Sequence, residues 1–290
     1  MKILIIGENS YIGRSFKEAA DSKYSITMAG SSDGAWRGVK FARYDIVLHC
    51  AGIVHVEQKN RTAGLYEAVN CDLAVEVAKR SVSEGVKQFI FLSSMAVYGN
   101  KCSEISHNTI PKPNIGDFYG SSKLKAEQEL QNFANQIRLC IVRPPMIYGR
   151  GCKGNFPKLV KLACTTPIFP DFSNRRSMLY IENLCTYLCA LIDSTEAEGV
   201  FLPQNSEYVN TTELVTMIAR CYNKRIATTR LFNPLIKTTM NIIPNIRKLF
   251  GDLIYDNSKG RDPFADAVDY ISFEESVRRS VFMKNGQISN

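Results

Sequence analysis

The chain has 290 residues, 45% hydrophobic and 22% charged, with a formal net charge of +8, enough length to bury a large core and divide into a larger and a smaller domain. No apolar run approaches the roughly 18 residues a membrane-spanning helix needs, and the stretch 179–192 is interrupted by Glu182 and Asn183, so a soluble, cytoplasmic protein without membrane insertion is expected. The nine cysteines lack metal-ligand pairing, Cys185 and Cys189 read as buried thiols on one helix, and His49, His55 and His107 are too dispersed for a metal site.

Lys2-Ile3-Leu4-Ile5-Ile6 has the pattern of a short buried strand and leads into Gly7-Glu8-Asn9-Ser10-Tyr11-Ile12-Gly13. A strand, tight turn and helix of this kind points backbone N–H groups at a pyrophosphate. The spacing is Gly-x-x-Ser-x-x-Gly. Ser10 therefore brings a Cβ toward the phosphates, and either holds the backbone farther off or donates its own hydroxyl. A second strand at 25–29 runs into Gly30-Ser31-Ser32, with no acid until Asp33. Further along, the patterns predict a strand at 45–49, a helix near 62–83, a strand at 88–93, a helix near 117–136 and a strand at 138–143. That alternation predicts an α/β fold, a parallel sheet wrapped by helices.

Tyr119-Gly120-Ser121-Ser122-Lys123 places a phenol and an ammonium four residues apart, on one face of the predicted helix. A fixed cation beside a phenol favours the phenolate and draws its pKa down from about 10 toward neutrality. Ser94, at the end of the apolar run 89–97, adds a hydroxyl where negative charge would develop on a substrate oxygen. Together Ser94, Tyr119 and Lys123 are the parts of a carbonyl reductase. The same spacing recurs at Tyr255 and Lys259, without a serine at a strand end ahead of it.

The polar loop 100–116, with Pro111 and Pro113, is expected over the active site. The stretch 150–176 holds Arg150, Lys153, Lys158, Lys161, Arg175 and Arg176 against Asp171 alone, and 214–250 holds seven cations and no acid. A dianionic pyrophosphate suits such a surface. Nucleic acid does not, since interleaved aromatics and a recognised motif are missing.

Several motifs in order resemble the extended short-chain dehydrogenase/reductase family of nucleotide-sugar epimerases, dehydratases and reductases. They are the glycine segment at 7–13, Asp45-Ile46-Val47-Leu48-His49-Cys50-Ala51-Gly52, Val69-Asn70, Ser93-Ser94-Met95-Ala96-Val97-Tyr98-Gly99, the Tyr119 unit and Arg143-Pro144-Pro145-Met146-Ile147-Tyr148-Gly149. The resemblance implies a Rossmann-type doubly wound sheet over 1–145, rejoined by 179–210, and a smaller substrate domain from 146–178 and 211–290. It implies that Gly7, Ser10, Tyr11, Ile12, Gly13, Ser31, Ala51, Gly52, Asn70, Tyr119, Lys123 and Pro144 line a nicotinamide cofactor. The missing acid after the second strand, with Arg14 or Arg37 nearby, points to NADP over NAD.

Asn155 and Arg176, with Arg175, match positions that hold a nucleoside diphosphate, and an arginine fork suits two phosphate oxygens. Asn155 also reads as the N-cap of a following helix. A narrower likeness, in Gly154-Asn155-Phe156-Pro157 and Asn174-Arg175-Arg176-Ser177, is to bacterial capsule and O-antigen reductases of UDP-4-keto-6-deoxy-N-acetylhexosamines. The implied activity is NAD(P)H-dependent reduction at C4 of such a UDP-sugar. The alternative is a UDP-hexose or UDP-N-acetylhexosamine 4-epimerase with retained NAD, and a helix-paired homodimer is common in the family.

Overall fold

A computed structural model describes residues 1–54, 62–99, 103–256, 262, 264 and 268–281. His55, Lys259 and the start of the polar loop at Asn100 lie outside the described residues.

The first strand, β1 (Lys2–Ile6), has Ile3, Leu4, Ile5 and Ile6 fully buried, because helices cover both faces of the sheet it belongs to. Ile3 and Ile5 pack toward α1 (Tyr11–Ala20) through Phe16 and Ala20, while Leu4 and Ile6 face the opposite core layer. The alternation is the period-two geometry of a strand carried into two separate cores.

β2 (Ser25–Ala29) and β3 (Ile46–His49) flank β1, both parallel to it. α2 (Ala63–Glu67) and α3 (Leu73–Ser83) form one helical run interrupted by a π-helical turn at Ala68–Asp72, so the helix expected over 62–83 carries a bulge that sequence periodicity did not show. β4 (Gln88–Leu92) follows, then the short β5 (Glu104–Ile105), α4 (Phe118–Leu130) and β6 (Arg138–Val142). α4 ends earlier than 136, in a turn of 3-10 helix.

β7 (Met146–Tyr148), α5 (Asn155–Thr165), β8 (Ile168–Pro170) and β9 (Met178–Tyr180) lead to α6 (Ile181–Asp193) and β10 (Gly199–Phe201). The main sheet has six parallel strands in the order β10-β6-β4-β3-β1-β2. Strand order reverses between β1 and β3, which opens a crevice at their carboxyl ends where doubly wound folds place ligands. The α/β parallel-sheet expectation holds.

The remaining elements are α7 (Thr211–Cys221), β11 (Ala227–Thr229), α8 (Asn233–Thr239), α9 (Pro244–Phe250), β12 (Ile254–Tyr255) and α10 (Phe273–Val281). Three parallel strand pairs, β7 with β9, β8 with β11 and β5 with β12, lie outside the main sheet.

α4 is anchored by a buried ion pair. Glu127 receives Arg143 Nε at 3.0 Å and Nη2 at 2.5 Å, and the Ser93 hydroxyl donates to the same carboxylate. Arg143 Nη1 donates to the Tyr98 hydroxyl at 2.6 Å, and the Tyr255 hydroxyl donates to the Arg143 carbonyl at 2.6 Å. The two ionic side chains are only 10% and 4% exposed. Removing one partner strands the other charge in a dry interior. Glu127→Ala is therefore expected to lower unfolding free energy by about 3–5 kcal/mol, read from the denaturant midpoint, with Glu127→Asp costing less.

Candidate active site

Gly7 leaves β1 at φ +112°, a backbone region that side chains disfavour, and a Cβ there would lie 2.8 Å from the Ala51 nitrogen. Glycine thus lets the turn after β1 close against the loop after β3. Ser10 is the N-cap of α1, its Oγ accepting from Gly13 N at 3.3 Å, so the serine in the glycine motif serves the helix end. The first N–H groups of α1, at Tyr11 and Ile12, have no acceptor within the helix and sit at the positive end of its dipole.

Asn70, on the π-helical turn, is fully buried. Its Oδ1 accepts from Ile53 N at 2.8 Å, and its Nδ2 donates to Ile53 O and to Ser122 Oγ, each at 3.0 Å. The extra residue of the turn aims this amide at the loop after β3 and ties it to α4. Gly52 lies beside it, where a Cβ would come 2.9 Å from Asn70 Oδ1 and 3.3 Å from Lys123 Nζ. Glycines, a helix N-terminus and a lysine converge on the crevice, an arrangement that fits a dinucleotide.

At the end of β2 the chain folds Asp33 back over Gly30, where any Cβ would collide with the Asp33 carboxylate, and Oδ1 accepts from Ala35 N at 3.1 Å. An acid therefore stands at the end of β2 after all, next to the half-buried Ser31. Both arginines considered for a 2′-phosphate are engaged elsewhere. Arg14 donates to Glu8 O at 2.8 Å and Asn9 Oδ1 at 2.5 Å. Arg37 forks onto Glu76 at 2.9 and 3.3 Å and stacks on Trp36.

Ser94 ends the strand edge and caps the turn at Met95–Tyr98, its Oγ accepting from Ala96 N at 3.1 Å. The Tyr119 phenol lies near Ser94, whose side chain favours the phenolate. Gly120 makes that meeting possible, since a Cβ on it would lie 2.7 Å from the Ala96 carbonyl oxygen. The helix start and the turn after β4 touch backbone to side-chain-free backbone. Pro144, buried, accepts from Met95 N at 2.9 Å and closes the same corner.

Lys123 does not draw the phenol toward neutrality, as the helix spacing suggested. Its buried ammonium donates to the Leu92 carbonyl at 2.8 Å and lies 4.5 Å from the Phe91 ring centroid, toward the sheet. Burial pushes the Tyr119 phenol up to about 12, with the neighbouring Ser94 side chain opposing and the Asp117 charge adding. The same desolvation lowers Lys123 to about 8. His49, buried at the end of β3 with neither ring nitrogen bonded, is held neutral by burial and then by the Lys123 charge.

Around α5 the structure corrects one reading, and beyond it separates two neighbouring arginines. Gly154, at φ +96°, is the N-cap, and Asn155 is the first helical residue with no capping bond from its side chain. Arg175 and Arg176 do not act as a pair. Arg175 is exposed and bound to Glu104 at 2.7 Å and Asp252 at 3.8 Å. Arg176 is half-buried, its Nη1 donating to Gly251 O at 2.9 Å, and burial lowers its pKa. Its backbone bridges both Val209 and Leu253, which explains the opposite outlook of its neighbour. Tyr255 of the duplicate motif is a buried structural residue, its hydroxyl held by Arg143 O. Among the described residues no cluster of His, Cys, Asp and Glu could hold a metal, and no helix is long and apolar enough to cross a membrane.

The lowered Lys123 pKa carries a sign. Between about 8 and 10.5 the unfolded chain binds a proton that the folded one lacks, so this group makes stability rise with pH through that window. Lys123→Met is expected to remove that rise, as measured by denaturant unfolding of both proteins at the two ends of the window; an unchanged pH slope would contradict the burial of the ammonium.

The family model described as the NAD dependent epimerase/dehydratase family matches residues 3–202. A UDP-glucose 4-epimerase of Vibrio cholerae is 34% identical over 192 residues, 62% of this chain and 57% of that protein. The N-acetyl-α-D-glucosaminyl-diphospho-ditrans,octacis-undecaprenol 4-epimerase of Escherichia coli O157:H7 is 27% identical over 255 residues, 80% of this chain and 76% of the relative. The chain thus spans little more than half the length of the Vibrio relative. Among solved structures, the UDP-N-acetylglucosamine 4-epimerase of Bacillus cereus superposes with a TM-score of 0.75 at 15% identity, covering 100% of this chain and 98% of the other, a likeness of fold. With a family model spanning most of its length, this chain belongs to the NAD dependent epimerase/dehydratase family.

Proposed function

We propose that the chain interconverts the C4 epimers of a UDP-linked hexose or N-acetylhexosamine, with NAD as its resident cofactor. The observation that carries the C4 chemistry is the juxtaposition of Ser94 and Tyr119 at the end of β4, beside Lys123 and the side-chain-free Gly52. Support for NAD is the Asp33 carboxylate at the end of β2, placed to accept from a ribose 2′-hydroxyl and to repel a 2′-phosphate. Support for epimerisation comes from the two relatives above, both of which are named 4-epimerases.

In this reading the main sheet and its helices hold the cofactor. The segments 146–178 and 211–290 hold the sugar nucleotide. Gly7, Ser10, Tyr11, Ile12 and Gly13 shape the pyrophosphate turn, Ala51, Gly52 and Pro144 leave the crevice open, and Asn70 keeps the loop after β3 in place. A bound nicotinamide supplies reversible hydride exchange at the sugar carbon. Tyr119 moves the proton at O4, Ser94 holds that oxygen through its hydroxyl, and Lys123, protonated at neutral pH, supplies the positive charge of the site. Arg176 and the N-terminal turn of α5 at Asn155 hold the diphosphate, while Arg175 contributes charge from the rim.

A second reading is favoured by one observation. A phenol held protonated by burial is an acid, which is what reduction of a C4 ketone requires. The rival is therefore the NAD(P)H-dependent 4-ketoreductase acting on a UDP-4-keto-6-deoxy-N-acetylhexosamine.

One experiment separates them. The purified protein is incubated with UDP-glucose or UDP-N-acetylglucosamine and followed by NMR, and its released nucleotide is quantified. The expected result is retained NAD and a C4 epimer formed without net cofactor consumption. Stoichiometric oxidation of NADH or NADPH with the 4-keto sugar, and no epimer, would establish the rival. Tyr119→Phe is expected to lower turnover by at least about 10²-fold at unchanged nucleotide content. Asp33→Ala should weaken NAD binding about 10–100-fold, the loss of one charged hydrogen bond, read by fluorescence titration.

A further inference from the structure

Residues 230–248 form a surface that the C4 chemistry does not use. α8 and α9 bury Ile236 and Phe250, while α8 and the turns beside it leave large apolar side chains in water. Leu231 and Ile242 are 79% exposed and Leu235 63%, with Phe232 and Ile243 also exposed. Single exposed apolar residues need no explanation, but five within thirteen consecutive positions make a patch of the kind that marks an interaction site. Leu235 lies on α8, Leu231 and Phe232 precede that helix, and Ile242 and Ile243 lie in the turn between α8 and α9.

The surroundings of the patch are cationic. Among the described residues no carboxylate pairs with Lys237, Arg247 or Lys248, and Arg247 donates only to the Met240 and Asn241 carbonyls and the Asn241 amide oxygen, so it keeps its charge. Arg230 is the exception, neutralised by Asp171 at 2.8 Å. No acid occurs anywhere in 214–250. The occupant must therefore be apolar at its centre and anionic around it.

We propose that the segment 230–248, comprising α8, the start of α9 and the turns beside them, docks the protein onto the headgroup layer of an anionic lipid bilayer. Leu231, Leu235 and Ile242 enter the acyl boundary while Lys237, Arg247 and Lys248 meet lipid phosphates. Each helix has seven residues, about 10 Å of length, so it lies on the membrane and does not cross it. A second copy of the same face fits poorly, because a two-fold contact would set cations against cations. α9 runs directly into Gly251, whose carbonyl receives Arg176, so the docked face adjoins an arginine assigned to the diphosphate.

The test is cosedimentation of the full chain with vesicles of phosphatidylcholine, with and without phosphatidylglycerol. Binding to the anionic vesicles only, weakened by salt, is expected. Lys237→Glu with Lys248→Glu should lower partitioning by about tenfold or more, and Leu235→Glu with Ile242→Glu should do so at low salt, each with an unchanged melting curve. No binding to anionic vesicles by folded protein overturns the proposal, as does binding that neither double variant weakens. A concentration-dependent dimer in sedimentation velocity that Leu235→Glu with Ile242→Glu abolishes would show that a second copy covers the face, and overturns it too. Epimerase or reductase activity is read separately and bears on neither outcome.

Discussion

Everything proposed for this molecule depends on the docking of α4 against the carboxyl ends of β4 and β6. Tyr119, Lys123 and Glu127 fall at four-residue intervals on one face of that helix, and each is held by a different piece of the sheet. Glu127 binds Ser93 and Arg143, Lys123 binds the Leu92 carbonyl, and Tyr119 meets Ser94. The helix is thus fixed axially by a buried ion pair in its last turn and by a close backbone approach at Gly120. A slide of one residue along the helix axis would break all three contacts together. Binding geometry at the crevice and proton chemistry at O4 are therefore set by one packing interaction.

Burial in that interface also sets the electrostatics. It raises the phenol and lowers the ammonium, so near neutrality the site holds a neutral tyrosine and a charged lysine that lie close in sequence but interact with different partners. The lysine's positive charge sits against a carbonyl and an aromatic ring, both of which accept it without neutralising it. A site built this way stays positive and dry, which suits an oxygen that gains negative charge during turnover.

Much of this was legible in the sequence. The apolar run Ile3 to Ile6 of β1 read as a buried strand, and strand-helix alternation implied a parallel sheet. Ser94 and Tyr119 were identified from residue type and local pattern, and the fold sets them near one another. What escaped was non-local or depended on side-chain direction. Asp33 looked too late to end β2, because only the turn geometry folds its carboxylate back over Gly30. The π-helical turn at Asn70 leaves no mark on hydrophobic periodicity. Arg175 was named beside Arg176 for the diphosphate, yet extended backbone sends neighbours to opposite sides. Glu127 and Arg143 had one signal, a carboxylate one turn beyond Lys123 in a helix face that must be buried, but its partner lies just past the end of β6.

The most direct test of this arrangement is the ionisation of the Tyr119 phenol itself. Tyrosine labelled with ¹³C at Cζ, with the signal assigned by its loss in Tyr119→Phe, separates this ring from the other twelve of the 13 tyrosines. A phenol that remains protonated well above the ordinary value of 10, with its midpoint near 12 and moving higher in Ser94→Ala, is the predicted result. A midpoint at or below 10 that Ser94→Ala leaves unmoved would mean that Tyr119 is neither buried nor joined to Ser94, and the assembled site would not exist.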